Sequence, residues 1–252
     1  MLNIFELKKK LKAIRYNNTQ LKVLYKTHVS STNDYLKYKY ARDLFPLLVV
    51  TNGQRAARGR NNKIWISLNQ KSISFSLCFK VNAEQLDLRY LSYLSSTCLL
   101  DAMKENNCKD IKIKWPNDLY LNDKKVSGIL IESLSINKDF YVSIGVGINI
   151  DIPKNYPVKR PFSNLGINID QTSMVSLFCE LLFKNISQVD MNKIVKSYNE
   201  NLFWYQERVI IKDKNTSYEG ELLGINEKGE IMIFDNGNIE RIDNIDSSMR
   251  KI

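Results

Sequence analysis

Histidine occurs once, at His28, and cysteine four times, at Cys78, Cys98, Cys108 and Cys179, with no Cys-x-x-Cys pair. Structural zinc sites draw four ligands from these residue types, usually in short-spaced pairs, so a zinc centre is not expected. Scattered cysteines of this kind read as reduced thiols, mostly buried. No apolar run approaches the roughly 18 residues that cross a bilayer as a helix. The opening MLNIFELKKKLKAI carries its lysines on the wrong side for a secretory leader and has no long apolar stretch or small-residue cleavage site. Leu7, Leu11 and Ile14 instead share one face of a short amphipathic helix. A cytoplasmic protein without a membrane anchor is expected. Internal repeats and low-complexity segments are also missing.

Acidic residues are outnumbered, 27 against 37 Lys and Arg, giving a net charge of +10. Such a balance raises nucleic-acid binding as a possibility. The lysines, however, are spread along the whole chain with abundant Asn, Ile and Tyr, rather than gathered on one element. The charge equally suits an anionic nucleotide or an acidic protein partner. With 44% hydrophobic and 25% charged residues over 252 positions, the chain can bury a large core.

Strand and helix patterns alternate. LKVLYKTHV reads as a strand, and SSTNDYLKYKYARDLF as a helix opened by a Ser31/Asp34 capping box. LLVVTNG is a buried strand. Ile73, Phe75, Leu77, Phe79 and Val81 alternate with Ser72, Ser74, Ser76, Cys78 and Lys80, which predicts a half-buried strand with one apolar face. A long helix is expected from about Leu86 to Asn106. IKIKW, VSGILIESL and FYVSIGVGINI follow as strands of one sheet, with a hairpin turn at Asn122–Lys124. Two helices lead through Tyr198. From Arg208 the texture changes to short β segments punctuated by Glu227–Gly229 and the Asn236–Gly237 pair, as in a small barrel. The expected division is 1–206, an α+β catalytic domain with a mixed, mainly antiparallel sheet, and 207–252, a small β domain.

Three stretches carry the chemistry. The loop Gln54-Arg55-Ala56-Ala57-Arg58-Gly59-Arg60-Asn61-Asn62-Lys63-Ile64-Trp65 places closely spaced cations around a glycine, as a polyphosphate needs. Lys114-Trp115-Pro116-Asn117-Asp118 is followed by Lys125 and by Gly128, on an apolar strand where a missing side chain permits close ligand approach. Gly145-Val146-Gly147-Ile148-Asn149 removes side chains from one strand face and leaves a slot for something flat or narrow.

Ser31-Thr32-Asn33, the Arg-Gly-Arg loop, Lys-Trp-Pro-Asn-Asp, Lys-x-x-Gly-Ile-Leu-x-Glu and Gly-x-Gly-Ile-Asn, in that order, resemble the biotin protein ligases. The resemblance runs from Tyr25 to Asn149 and more loosely through the C-terminal β region. It implies a class II synthetase-like catalytic domain with an SH3-like barrel. It also implies ATP and biotin as substrates, Mg²⁺ carried by the ATP phosphates with no protein cage, and a biotin carboxyl carrier protein domain as partner. Ser31, Thr32, Asn33 and Gln54 would border the biotin pocket. Arg58 and Arg60 would hold the biotin carboxylate and phosphates, and Lys125 the carboxylate and α-phosphate. Gly128, Ile129 and Gly147 would line the biotin channel. Trp65, Lys114, Asn117, Asp118 and Asn149 would frame the nucleotide and its metal.

The early position of Ser31 leaves no room for the helix-turn-helix domain of regulatory members, so a single-function ligase without specific DNA binding is expected. A homodimer through the sheet is frequent in the family, but no residue pattern here selects it. Two departures stand out. Ala57 replaces the first loop glycine, and Asn61-Asn62-Lys63 replace its more basic, glycine-containing end, with Asn62 expected to hold the turn. The alternatives are a lipoate- or octanoate-handling enzyme of the same fold, and a basic nucleic-acid-binding module.

Overall fold

The computed structural model describes residues 2–37, 45–82, 87–136, 139–157, 161–188, 190–213, 216–244 and 247–252. The chain begins with α1 (Ile4–Leu11), β1 (Arg15–Tyr16), β2 (Thr19–Gln20), β3 (Lys22–Val29), α2 (Thr32–Lys37) and β4 (Leu47–Gln54). A 3₁₀ turn (Arg60–Asn62) precedes β5 (Ser72–Val81), α3 (Leu88–Glu105), β6 (Ile111–Lys114), β7 (Asp118–Leu121), β8 (Lys124–Ile136) and β9 (Asp139–Asn149). Then come α4 (Gln171–Ile186), α5 (Met191–Glu200), β10 (Arg208–Lys212), β11 (Ser217–Ile225), β12 (Ile231–Asp235), β13 (Asn238–Ile242) and β14 (Ser248–Lys251). The expected helix beyond Lys37 and the start of the 86–106 helix fall partly on 38–44 and 86, outside the described residues.

Seven strands form one sheet in the order β3-β4-β5-β9-β8-β7-β6, in which only β3 and β4 pair in parallel. This is the expected α+β architecture. β7 lies between IKIK and the 122–124 turn, so the hairpin joins β7 to β8. Asn122 and Asp123 both have positive φ, as a tight turn matched to the twist of its strands requires.

The two faces of β5 explain the rest. Ile73, Phe75, Leu77, Phe79 and Val81 join Val142, Ile144, Val146, Ile148 and Ile129 in a core covered by α1, α3, α4 and α5. Each such side chain contributes roughly 1.5–3 kcal/mol on burial. The opposite face is not solvated as its polarity suggested: Ser72, Ser74, Ser76 and Cys78 are buried too. The expectation of a half-buried strand is therefore corrected. A period of two separates apolar from polar side chains, but cannot say that the polar face is covered. It is covered by α2, seated through Leu36 on Leu47, Val49, Cys78 and Tyr141, and by the loop after β4.

The C-terminal strands build a five-stranded antiparallel sheet, β13-β12-β11-β10-β14, from the four segments read in the sequence plus β14. Its apolar residues belong to the same continuous core as the helices. Tyr93 OH donates to Gly229 O at 2.9 Å and Tyr90 OH to Glu227 O at 2.6 Å, tying α3 to the β11–β12 turn.

Candidate active site

The covered face of the large sheet carries a strip almost without side chains. Gly128 pairs with Gly147 across β8 and β9, and Gly145 lies two residues away, about 7 Å along the strand. At the Gly145 end sits the N-terminus of α2. Asn33 lies directly over Gly145, where an added Cβ would stand 2.7 Å from Asn33 Oδ1. Ser76 Oγ is 2.6 Å from both Asn33 Oδ1 and Thr32 Oγ1. Thr32 donates to Gln54 Oε1 from its backbone N–H at 2.7 Å and from its hydroxyl at 3.1 Å. Ser31 Oγ accepts from Asp34 N at 3.4 Å, which is half of the expected capping box. The other half is missing because Asp34 turns to Arg58 instead. This hydroxyl and amide cluster brings Ser31, Thr32, Asn33 and Gln54 together, and adds Ser76, which the alternation had placed on a solvated face.

Arg58 contacts two carboxylates. Its guanidinium pairs with Asp34 and lies 3.5 Å from Glu132 Oε1, while Lys37 reaches the same two acids at 3.5 and 3.1 Å. Sequence reasoning overlooked Asp34, Lys37 and Glu132 as site residues, although Glu132 closes the Lys-x-x-Gly-Ile-Leu-x-Glu run. Beyond Arg58 the loop doubles back: Gly59 N donates to Lys63 O at 2.7 Å and Trp65 N to Ala57 O at 3.0 Å. The left-handed residue is Asn61 (φ 52°, ψ 40°), not Asn62. Asn tolerates that region because its short polar side chain can compensate locally. Ala57 and Gly59 both have negative φ, so alanine in place of the first glycine costs no backbone strain. Arg60 donates to Ser247 O at 3.0 Å, joining the loop to the C-terminal sheet.

At the other end of the strip Trp65 lies on Gly147, so closely that a Cβ there would collide with the indole. Its Nε1 is buried without a hydrogen-bond partner. An unmet buried N–H costs about 1–3 kcal/mol. Lys125 Nζ is 5.4 Å from the centre of the Trp65 ring and 2.5 Å from Asp118 Oδ1, beside Gly128. Lys125, Asp118, Trp65, Gly128 and Gly147 are therefore one constellation.

Four other expected residues stand differently. Ile129 has its side chain in the main core, because alternation turns it away from Gly128. Asn117 is buried and bonded through Nδ2 to Ile129 O at 2.5 Å, bracing the turn against β8. Asn149 Nδ2 holds Ser163 O at 3.2 Å and Lys125 O at 3.4 Å. Lys114 Nζ lies over the rings of Trp204 and Tyr120, at 4.6 and 4.9 Å from their centres. Trp115 is spent on Tyr93 OH at 3.2 Å, and Tyr198 OH donates to Pro116 O at 3.0 Å. Burial pushes the Tyr93 phenol up to about 12 and raises Tyr198 well above its usual value, so both remain donors.

The arrangement is a glycine strip on which Asn33, Trp65 and Lys125 rest, with neutral donors and acceptors at one end and the Lys125–Asp118 pair at the other. The sequence profile of the biotin/lipoate A/B protein ligase family matches residues 25–149. Biotin–protein ligase 2 of Arabidopsis thaliana is 30% identical over 213 residues, covering 77% of this chain and 62% of its own length. The bifunctional ligase/repressor BirA of Escherichia coli (strain K12) is 24% identical over 84% of this chain and 69% of its own. Against the first three curated relatives the chain spans 62%, 55% and 63% of their lengths. The biotin protein ligase of Aquifex aeolicus, solved with biotin and ATP, superposes with a TM-score of 0.79 at 25% identity, covering 92% of this chain and 99% of that one. The chain belongs to the biotin/lipoate A/B protein ligase family.

Proposed function

We propose that this protein activates biotin with ATP and transfers it to a lysine of a carrier protein domain. The observation that carries the proposal is the glycine strip running from the Thr32–Asn33–Gln54–Ser76 cluster to Lys125. A ureido ring has one carbonyl acceptor and two N–H donors, which the mixed cluster can meet together. An alkyl chain would lie along Gly145, Gly147 and Gly128 once Trp65, which rests on Gly147, moves off the strip, bringing the carboxylate to Lys125.

A carboxylate oxygen attacks the α-phosphorus, an O–P bond forms, and the bond to the pyrophosphate leaving group breaks. Lys125 and Arg60 would neutralise charge on the reacting oxygens. This preorganised positive field and the alignment of the two reactants are the chain's contribution, and no protein nucleophile is needed. The carrier's neutral lysine amine then attacks the acyl carbon of the mixed anhydride, AMP departs, and the nitrogen gives up its proton. Among the described residues no group of three or more His, Cys, Asp or Glu converges on a metal-sized site. Mg²⁺ would be carried by the ATP phosphate oxygens, with Asp118 nearby, and would screen their repulsion. Asn117 and Asn149 support this site through the backbone they brace. A cytoplasmic location belongs to the same reading, in keeping with four free cysteines.

The test is biotin-dependent exchange of pyrophosphate into ATP, with lipoate in parallel. Exchange with biotin is expected. Exchange with lipoate alone would move the assignment to the other branch of the family, and exchange with neither would refute it.

A further inference from the structure

We propose that Glu132 is a positioning residue: its carboxylate sets the orientation of the Asn33 amide and ties the Arg58 loop to the same point. The inference rests on the biotin-ligase reading of this site. Glu132 lies four residues beyond Gly128 on β8, on the same sheet face, at the end of the strip where the hydroxyl and amide cluster sits. One oxygen, Oε2, accepts from Asn33 Nδ2 at 2.7 Å. The other, Oε1, faces Lys37 Nζ at 3.1 Å and Arg58 at 3.5 Å.

An asparagine amide has a donor end and an acceptor end of the same size, and packing alone barely distinguishes them. Here the charges do. With Nδ2 toward the carboxylate, Oδ1 faces Ser76 Oγ at 2.6 Å. Rotated by half a turn, Oδ1 would face Glu132, oxygen against anion. Glu132 therefore fixes Asn33 as an acceptor toward the slot, able to receive a ligand N–H. It also connects two functions that are far apart in sequence. The side chain that touches the ligand head and the arginine that anchors the loop share one carboxylate, so the pocket and the loop keep a common geometry.

The test compares Glu132→Ala and Glu132→Gln with wild type in the exchange assay. Alanine is expected to raise the biotin KM about tenfold or more, since a hydrogen bond to a charged group is worth roughly 1.5–3 kcal/mol. The ATP KM, and the rate at saturating biotin, should stay within about twofold, because no group touching the reacting atoms is removed. Glutamine can accept from Asn33 but cannot pair with Arg58, so its biotin KM should fall between those of wild type and the alanine variant. Trypsin should cut after Arg58 faster in both variants than in wild type. Each variant's melting temperature shows separately whether it folds. An unchanged biotin KM in Glu132→Ala, or a loss of rate that saturating biotin does not restore, would overturn the inference while the ligase reading stands. A wild-type protein with no biotin-dependent exchange would overturn both.

Discussion

Lys125 shows how one side chain acquires a chemical role from its position. At the start of β8 its backbone is fixed by pairing with β7, and its ammonium is held at 2.5 Å by Asp118. About a third of the side chain remains exposed, so its removal exposes little core. Lys125→Ala is therefore expected to leave the melting temperature nearly unchanged while lowering adenylate formation by a factor of about 100 or more, the usual effect of deleting one preorganised charge. Pyrophosphate exchange near the wild-type rate would contradict the assignment. Gly147→Val tests the slot in another way. The new side chain meets the Trp65 indole, which can move only by leaving the strip. A folded variant without measurable biotin binding in calorimetry is expected, and unchanged affinity would place the slot elsewhere. Lys125 and the glycines were legible in the sequence because each sits in a short run of improbable composition. Ser76, Asp34 and Glu132 were not, since their roles depend on α2 folding over the sheet, a contact that no local pattern encodes.

At the scale of elements, the loop between β4 and β5 shows what a motif does and does not determine. Its cations were readable, but their partners were not: Arg58 is engaged by Asp34 and Glu132, and Arg60 by a carbonyl of the C-terminal sheet. Arg58 is bound by two carboxylates, whereas Arg60 reaches across to the C-terminal region through the Ser247 carbonyl. Arg60→Gly is accordingly expected to activate biotin at a reduced rate and to release the adenylate before a carrier arrives. Biotin would then appear on lysines of an unrelated bystander protein, relative to wild type at equal ATP and biotin. Equal bystander labelling by the two proteins would remove Arg60 from the retaining role. Alanine stands at position 57 without backbone strain because the left-handed position of the loop is Asn61. The same limit explains β7 and β14, four residues each, too short for a periodicity to declare itself.

For the whole molecule, we propose the 1–206 and 207–252 division as two structural units that fold as one. The division rests on a change of texture in the sequence, which could not show how the parts meet. Val209, Ile211, Leu222, Ile231 and Ile233 of the C-terminal sheet lie in the same buried cluster as Tyr93, Phe178 and Tyr198 of the helices. Polar groups cross as well: Tyr93 to Gly229, Asn199 to the backbone of Ile225 at 2.8 and 2.9 Å, and Arg60 to Ser247. Gly224, with φ of 102°, leaves the space that Asn199 fills. Removing the C-terminal sheet would expose this apolar surface and strand the Tyr93 hydroxyl, at a cost of several kcal/mol against a total stability of about 5–15 kcal/mol. The intact chain should therefore unfold in a single calorimetric transition, with van't Hoff and calorimetric enthalpies in agreement. A chain cut after residue 206 should be insoluble or bind hydrophobic dye without a cooperative melt. Two resolved transitions, or a soluble 1–206 fragment with a sharp melt and biotin-dependent pyrophosphate exchange, would show instead that the large sheet and its helices are self-sufficient and that the Arg60–Ser247 contact is dispensable for activation.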